Sequence, residues 1–194
     1  MKLKPLDMVL VALFAALMGI GANITAYLVI GGVPITLQPI IAMLAGSLLG
    51  SRLGALAMVV YMLTGLVGIP VFAEFSGGLR ALVSPTFGFI LSFILTAYLT
   101  GKIIEHKQNP TLPTFFIASF IGLAVNYLIG THYMYYAYLW IAEAPEGFTY
   151  SMVWAWMIFP LIKDIIFTAL AAAAAPKLYR LICRNSTYTQ QRTA

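Results

Sequence analysis

Charge is what this sequence has least of. Of its 194 residues only 9% are Asp, Glu, Lys or Arg, while 61% are hydrophobic. Water-soluble domains carry about 25% charged residues, so the chain lacks the polar surface that would coat a core in water, and a soluble fold is excluded. Cysteine is almost absent as well: the single Cys183 rules out an internal disulfide and a cysteine-rich metal site. The two histidines, His106 and His132, are far apart with no companion at ligand spacing. No G-x-x-x-x-G-K-[ST] run is present to hold ATP, and no G-x-S-x-G elbow to expose a nucleophilic serine. The expectation is a chain with no catalytic residues, no metal and no cofactor of its own.

What is present is apolar sequence, with a mean hydropathy of +0.93. Charge-free stretches cover 8–51, 53–73, 81–101 and 108–142, and the stretch 147–176 is broken only by Lys163 and Asp164. A crossing takes about 20 residues. The first stretch is too long for one crossing and is interrupted at Gly31-Gly32-Val33-Pro34, where glycine and proline end a helix. The pattern predicts an all-α integral membrane protein, a compact bundle of six transmembrane helices. They are expected near 6–29, 38–50, 53–69, 85–105, 113–140 and 150–180, in one domain over 1–182 with a polar tail over 183–194. The second helix is short for a crossing and needs cover from protein or a cavity. The first apolar run is too long for the core of a cleavable signal peptide.

Lys and Arg collect on cytoplasmic loops. With the N-terminus inside, the inner ends hold Lys2, Lys4, Arg52, Lys102, Lys107, Lys177, Arg180, Arg184 and Arg192, nine of eleven basic residues. The outer loops hold Arg80, and Lys163 lies inside the last helix. Both termini are therefore expected in the cytoplasm, and the net charge of +5 is explained by lipid headgroups without nucleic acid.

A few polar residues stand in costly places. Lys163 and Asp164 fall near mid-membrane, where an ionisable group costs about 2.5–3.5 kcal/mol on insertion scales and normally marks a ligand or ion pathway. Helical neighbours point about 100° apart, which predicts separate partners for the two, either across helices or in a ligand cavity. The outer segment 69–85 combines Phe72, Phe75, the Gly77-Gly78 pair and Arg80, and reads as a lid over a pocket or as an ordinary connection. It leads into Ser84-Pro85-Thr86, expected to cap the fourth helix with proline in its first turn. Thr36 and Gln38 at the second helix, and Asn126 and Tyr127 along the fifth, are candidates to bond an amide or urea or a neighbouring helix. In the first helix Ala12 and Ala16 are four apart, a spacing for close helix approach within the bundle or against a partner.

Together VPITLQ at 33–38, GIPVFAEFSGG at 68–78, SPTFGF at 84–89 and the Lys163-Asp164 pair resemble the BioY family, the biotin-specific substrate-binding S components of energy-coupling-factor transporters. The Ala12/Ala16 spacing is similar to the motif with which S components dock on their transmembrane coupling protein. The resemblance runs from Leu10 to about Lys177. It departs at Phe87-Gly88-Phe89, where many members have Gly-Gly-Tyr, and at Lys163-Asp164, where many have the aspartate three residues before the lysine.

The resemblance implies a six-helix bundle in the bacterial cytoplasmic membrane that captures biotin at the outer face and works with a coupling protein and two ATPase subunits. It implies a site beneath the outer loops. Lys163 or Arg80 would neutralise the valerate carboxylate, and Asn126, Gln38 and Asp164 would bond the ureido ring. Phe72, Phe75 and Tyr127 would cover the apolar parts, with Thr36, Gly77, Gly78 and Thr86 completing the site. An S component for another vitamin, an intramembrane enzyme using Lys163, Asp164 or His132, and a ligand-free assembly protein are the alternatives.

Overall fold

Among the described residues six α-helices build the molecule: α1 Pro5–Asn23, α2 Gln38–Leu49, α3 Ser51–Leu66, α4 Phe87–Glu105, α5 Leu112–Trp140 and α6 Tyr150–Cys183. A computed structural model describes residues 3–24, 29–30 and 33–183. Proline opens three of the helices, at Pro5, Pro39 and Pro113, where its missing N–H has no intrahelical partner to lose. Asp7 adds an anion to the first turn of α1 and accepts the Lys4 N–H at 3.1 Å.

Boundaries differ from the sequence expectation where the chain turns. α1 stops at Asn23 rather than near 29, because Val29–Ile30 (β1) is already extended and pairs antiparallel with Val33–Pro34 (β2). α3 spans Ser51–Leu66 rather than 53–69, and the chain turns at Gly68 with φ of 111°, a conformation suited to glycine. α4 begins at Phe87, so Pro85 precedes the Thr86 cap instead of sitting in the first turn. The tail expected from 183 lies outside the described residues except for Cys183, which ends α6.

Four helices, α1, α4, α5 and α6, are long and apolar enough to cross a bilayer; α2 and α3 have 12 and 16 residues. At 1.5 Å per residue α2 spans only about 18 Å of a hydrocarbon core of about 30 Å. It survives because protein surrounds it. α2 packs against each of the other five helices, and nine of its residues are buried, among them Gln38 and Ser47.

α2 and α3 are joined by one residue, Gly50, at φ 86°. At this corner Glu105, the last residue of α4, accepts the Ser51 N–H at 3.0 Å and the Ser51 hydroxyl at 2.6 Å. A carboxylate thus caps the N-terminus of α3 where the helix dipole favours it. Glycines let the backbones touch: a Cβ on Gly46 would lie 2.2 Å from the Ala97 carbonyl oxygen, and one on Gly101 2.4 Å from the Ser51 nitrogen.

Helices α4 and α5 are joined by a buried polar ladder with a four-residue step. Ser92 lies 2.7 Å from Asn126 Oδ1, Thr96 donates to the Gly122 carbonyl at 3.2 Å, and Thr100 to the Ala118 carbonyl at 3.3 Å. Ser92, Thr96 and Thr100 are all fully buried. Small residues on one helix and hydroxyls on the other permit close approach and satisfy each other's polar atoms.

Candidate functional site

At the end of the molecule where α2 begins, β2, the 67–86 segment and helices α2 to α6 enclose a cavity of about 260 Å³. Its walls are mostly apolar or aromatic, including Tyr61, Phe72, Phe87, Phe89, Phe93 and Tyr138. A few polar groups converge on it, as expected of a site for a small amphipathic molecule. Thr36, Gln38, Phe72, Thr86, Asn126, Tyr127, Lys163 and Asp164 all line it. Phe75, Gly77, Gly78 and Arg80 do not.

The centre of the polar group is an ion pair. Lys163 Nζ lies 2.8 Å from Asp164 Oδ1 and also donates to the Thr36 carbonyl. Tyr127 donates to the other carboxylate oxygen, Asp164 Oδ2, at 2.7 Å. This corrects the expectation that neighbours on one helix would find only separate partners. The four-carbon stem of lysine is long enough to swing its ammonium back onto the face where Asp164 lies. Each residue also has a partner from another element, so α6, α5 and the entry to α2 meet at one point. Three residues before Lys163, Pro160 lines the cavity and leaves the Trp156 carbonyl without its intrahelical donor.

A second polar chain runs from α2 through α3 to the 67–86 segment. Gln38 Nε2 donates to the Tyr61 hydroxyl at 2.7 Å, and Tyr61 donates to the Val71 carbonyl at 3.2 Å. Asn126 is buried, and Ser92 at 2.7 Å engages its Oδ1. Ser92 also lies 2.7 Å from the Phe89 carbonyl and has one proton to give, so it engages one half of the Asn126 amide and leaves the other half for a ligand.

The 67–86 segment closes this end. Phe72 and Ser76 pair as a short bridge, and between them Glu74 and Phe75 adopt left-handed backbone at φ 59° and 52°, a rare conformation for residues with side chains. The Phe72 ring is buried and meets Tyr61 edge-on at 5.5 Å. Gly65 makes room for it, since a Cβ there would lie 2.2 Å from the ring. Gly77 and Gly78 serve the backbone: a Cβ on Gly77 would lie 2.6 Å from the Ile69 carbonyl oxygen, and Gly78 sits at φ 89°. Arg80 and Phe75 are exposed. The Phe75 N–H donates to Asn23 Oδ1 at 2.7 Å, which ties the segment to the end of α1.

Ala12 and Ala16 are exposed on α1, while Val11, Phe14 and Met18 on its other face are buried. The alanines are therefore not packed inside the bundle. His132 approaches the Leu128 carbonyl at 2.6 Å and the Tyr150 hydroxyl at 3.1 Å, amid the aromatic side chains of α5 and α6. Among the described residues no group of three His, Cys, Asp or Glu side chains forms a metal site.

Sequence reasoning missed Ser92, Glu74, Tyr61 and Asn23. Ser92 had a visible signal, the Ser92-x-x-x-Thr96-x-x-x-Thr100 spacing opposite Ala118, Gly122 and Asn126. Glu74 and Asn23 depend on how the loops return, and carry no local signal.

Residues 1–184 match the BioY family. The chain is 44% identical over 185 residues to a candidate biotin transporter, BioYB, of Bacillus subtilis strain 168, covering 93% of this chain and 91% of that one. It is 36% identical over 166 residues to the biotin transporter BioY of Thermotoga maritima, covering 86% and 93%. The fold is similar to the crystal structure of an S-component for biotin from an ECF-type ABC transporter, with a TM-score of 0.57, 20% identity, and 93% and 94% of the two chains covered.

Proposed function

The chain belongs to the BioY family, and on that premise we propose that it is the multi-pass membrane S component that binds biotin for an energy-coupling-factor uptake transporter. The observation that carries this reading is the cavity, in which apolar walls surround a converging set of amide, hydroxyl and carboxylate groups. A fused ring with a cyclic urea needs that combination. In this reading Asn126 donates to the urea carbonyl, Asp164 and Gln38 accept from or orient its N–H groups, and Thr36 and Thr86 border the ring. Phe72 and Tyr127 cover its apolar edge. Lys163 holds Asp164 in place. Phe75, Gly77, Gly78 and Arg80 belong to the closing segment and shape it from outside the lining.

The likeness to an S-component from an ECF-type ABC transporter supports work with partners: a transmembrane coupling protein and two ATPase subunits. The exposed Ala12 and Ala16 face supplies a surface for close helix docking. The basic residues at the inner ends support an orientation with both termini in the cytoplasm and the cavity toward the outer face of the bacterial cytoplasmic membrane.

The test is calorimetric titration of the purified full chain in detergent with biotin, desthiobiotin and thiamine. Saturable binding of biotin, weaker binding of desthiobiotin and none of thiamine are expected. Lys163→Ala should lower biotin affinity by at least tenfold, because Asp164 loses its counter-ion and its orientation. Wild-type affinity in that variant removes the ion pair from the site, and a preference for thiamine moves the protein to another vitamin.

A further inference from the structure

The distribution of charge around the cavity narrows the ligand class, in an inference that rests on the biotin reading. Among the described residues three charged side chains line the cavity: Lys163, Asp164 and Glu74. The Lys163 ammonium is engaged by Asp164 and by the Thr36 carbonyl, and Asp164 is held in turn by Tyr127. That pair is electrically closed. The unmatched lining charge is the carboxylate of Glu74, exposed in the closing segment. Arg80, expected to meet an anionic tail, lies outside the lining. The stretch 24–34 contains no charged residue, and the 141–149 connection at the same end adds Glu143 and Glu146.

Among the described residues a tail carboxylate entering this cavity finds no cation free of a carboxylate partner. It competes with Asp164 for an ammonium already shared, beside a like charge, and meets Glu74 at the rim. The uncharged ring, by contrast, finds the Asn126 amide and the Asp164 and Gln38 groups. We propose that the site recognises its ligand through the cyclic urea and does not require a free carboxylate, so that tail amides of biotin, neutral or cationic, belong to the same substrate class. Topology alone depletes Lys and Arg from outer loops. It does not, however, place an acid in the lining, nor occupy the one lysine there with a carboxylate from its own helix.

Competition titration on the purified full chain compares biotin, biotinamide and biocytin, whose tail ends in a lysine amide. Both amides are expected to bind within tenfold of biotin or more tightly. Glu74→Gln should shift the biotin-to-biotinamide affinity ratio about threefold toward the free acid, the range of a single partly screened charge interaction. The glutamine is isosteric, and size-exclusion chromatography checks that the variant is intact. A more than tenfold preference for the free acid, or an unchanged ratio in Glu74→Gln, overturns the inference while leaving the biotin reading in place. Binding of none of the three overturns the biotin reading and this inference with it.

Discussion

The two ends of this bundle are built on opposite rules. At the Ser51–Glu105 end, glycines bring backbones into contact, one residue joins two helices, and a carboxylate caps the α3 terminus. At the cavity end, α2 stops short, the connecting segment holds two residues in left-handed backbone, and buried polar groups face an open volume. Tight packing leaves no room for a ligand, and a cavity forgoes the dispersion contacts that packing supplies. The molecule therefore sets helix-to-helix backbone contact at one end and an open volume lined by buried polar groups at the other. Substitutions should sort accordingly, into those that cost stability alone and those that also change binding.

The largest effect should come from Asp164→Ala, where the two rules overlap. It leaves the Lys163 ammonium, only 15% exposed, without its carboxylate. Removing one partner of a buried pair costs about 3–5 kcal/mol, which should appear as a marked loss of thermal stability in detergent together with loss of biotin binding. The double change Lys163→Met with Asp164→Leu sharpens the comparison. It should recover most of the stability, because an apolar pair of similar volume replaces the ions, and recover none of the binding. Restored binding in the double variant would make the pair structural and erase the contrast between the ends.

Gly101→Ala comes next. The new Cβ would meet the Ser51 nitrogen, a backbone atom that cannot swing away. Overpacking of this kind costs about 1–3 kcal/mol, so melting temperature should fall while the surviving folded protein binds biotin with unchanged affinity. Thr86→Val provides the converse: near-wild-type stability with weakened binding, since Thr86 lines the cavity. A Gly101→Ala protein that melts normally would show that the corner is looser than its geometry.

These contrasts were unequally legible in the sequence. Six helices could be read because charge is so rare that its positions outline the spans, and Pro5, Pro39 and Pro113 mark three starts. The shortness of α2 was visible too, and the structure supplies its reason in the five helices around it. Gln38, Asn126 and Asp164 stood out because polar residues are few in apolar helices. The Lys163–Asp164 contact was misjudged because angular offset along a helix describes Cβ directions, whereas a lysine ends four carbons further out. Glu74 escaped because an acid in a loop is ordinary until the return of the chain puts it in a cavity wall. The end of α1 escaped because a continuous apolar run contains no signal separating helix from a short extended ribbon.

The smallest predicted effect concerns the link between α1 and the cavity. Asn23 sits at the last turn of α1, donates to the Gly19 carbonyl at 3.0 Å and accepts the Phe75 N–H at 2.7 Å. Four residues earlier, Gly19 lies against Val71, whose side chain would be 3.3 Å from an added Cβ. The same helix presents Ala12 and Ala16 outward. Replacing Asn23 by Ala removes the Phe75 hydrogen bond, worth about 1 kcal/mol, together with the bonds of its amide to the Gly19 and Val71 carbonyls, at a position where Glu74 and Phe75 already hold unfavourable backbone. The melting temperature should barely move, because the helix packing of the other end is untouched. Local opening of the segment should rise instead, by about fivefold, read as faster amide hydrogen exchange over 72–78 with no change over 46–54. Biotin should then dissociate faster, since Phe72 is carried by that segment and forms part of the cavity wall. Unchanged exchange over 72–78 would mean that the closing segment is held by Tyr61 and the glycine contacts alone, and that α1 has no grip on the site.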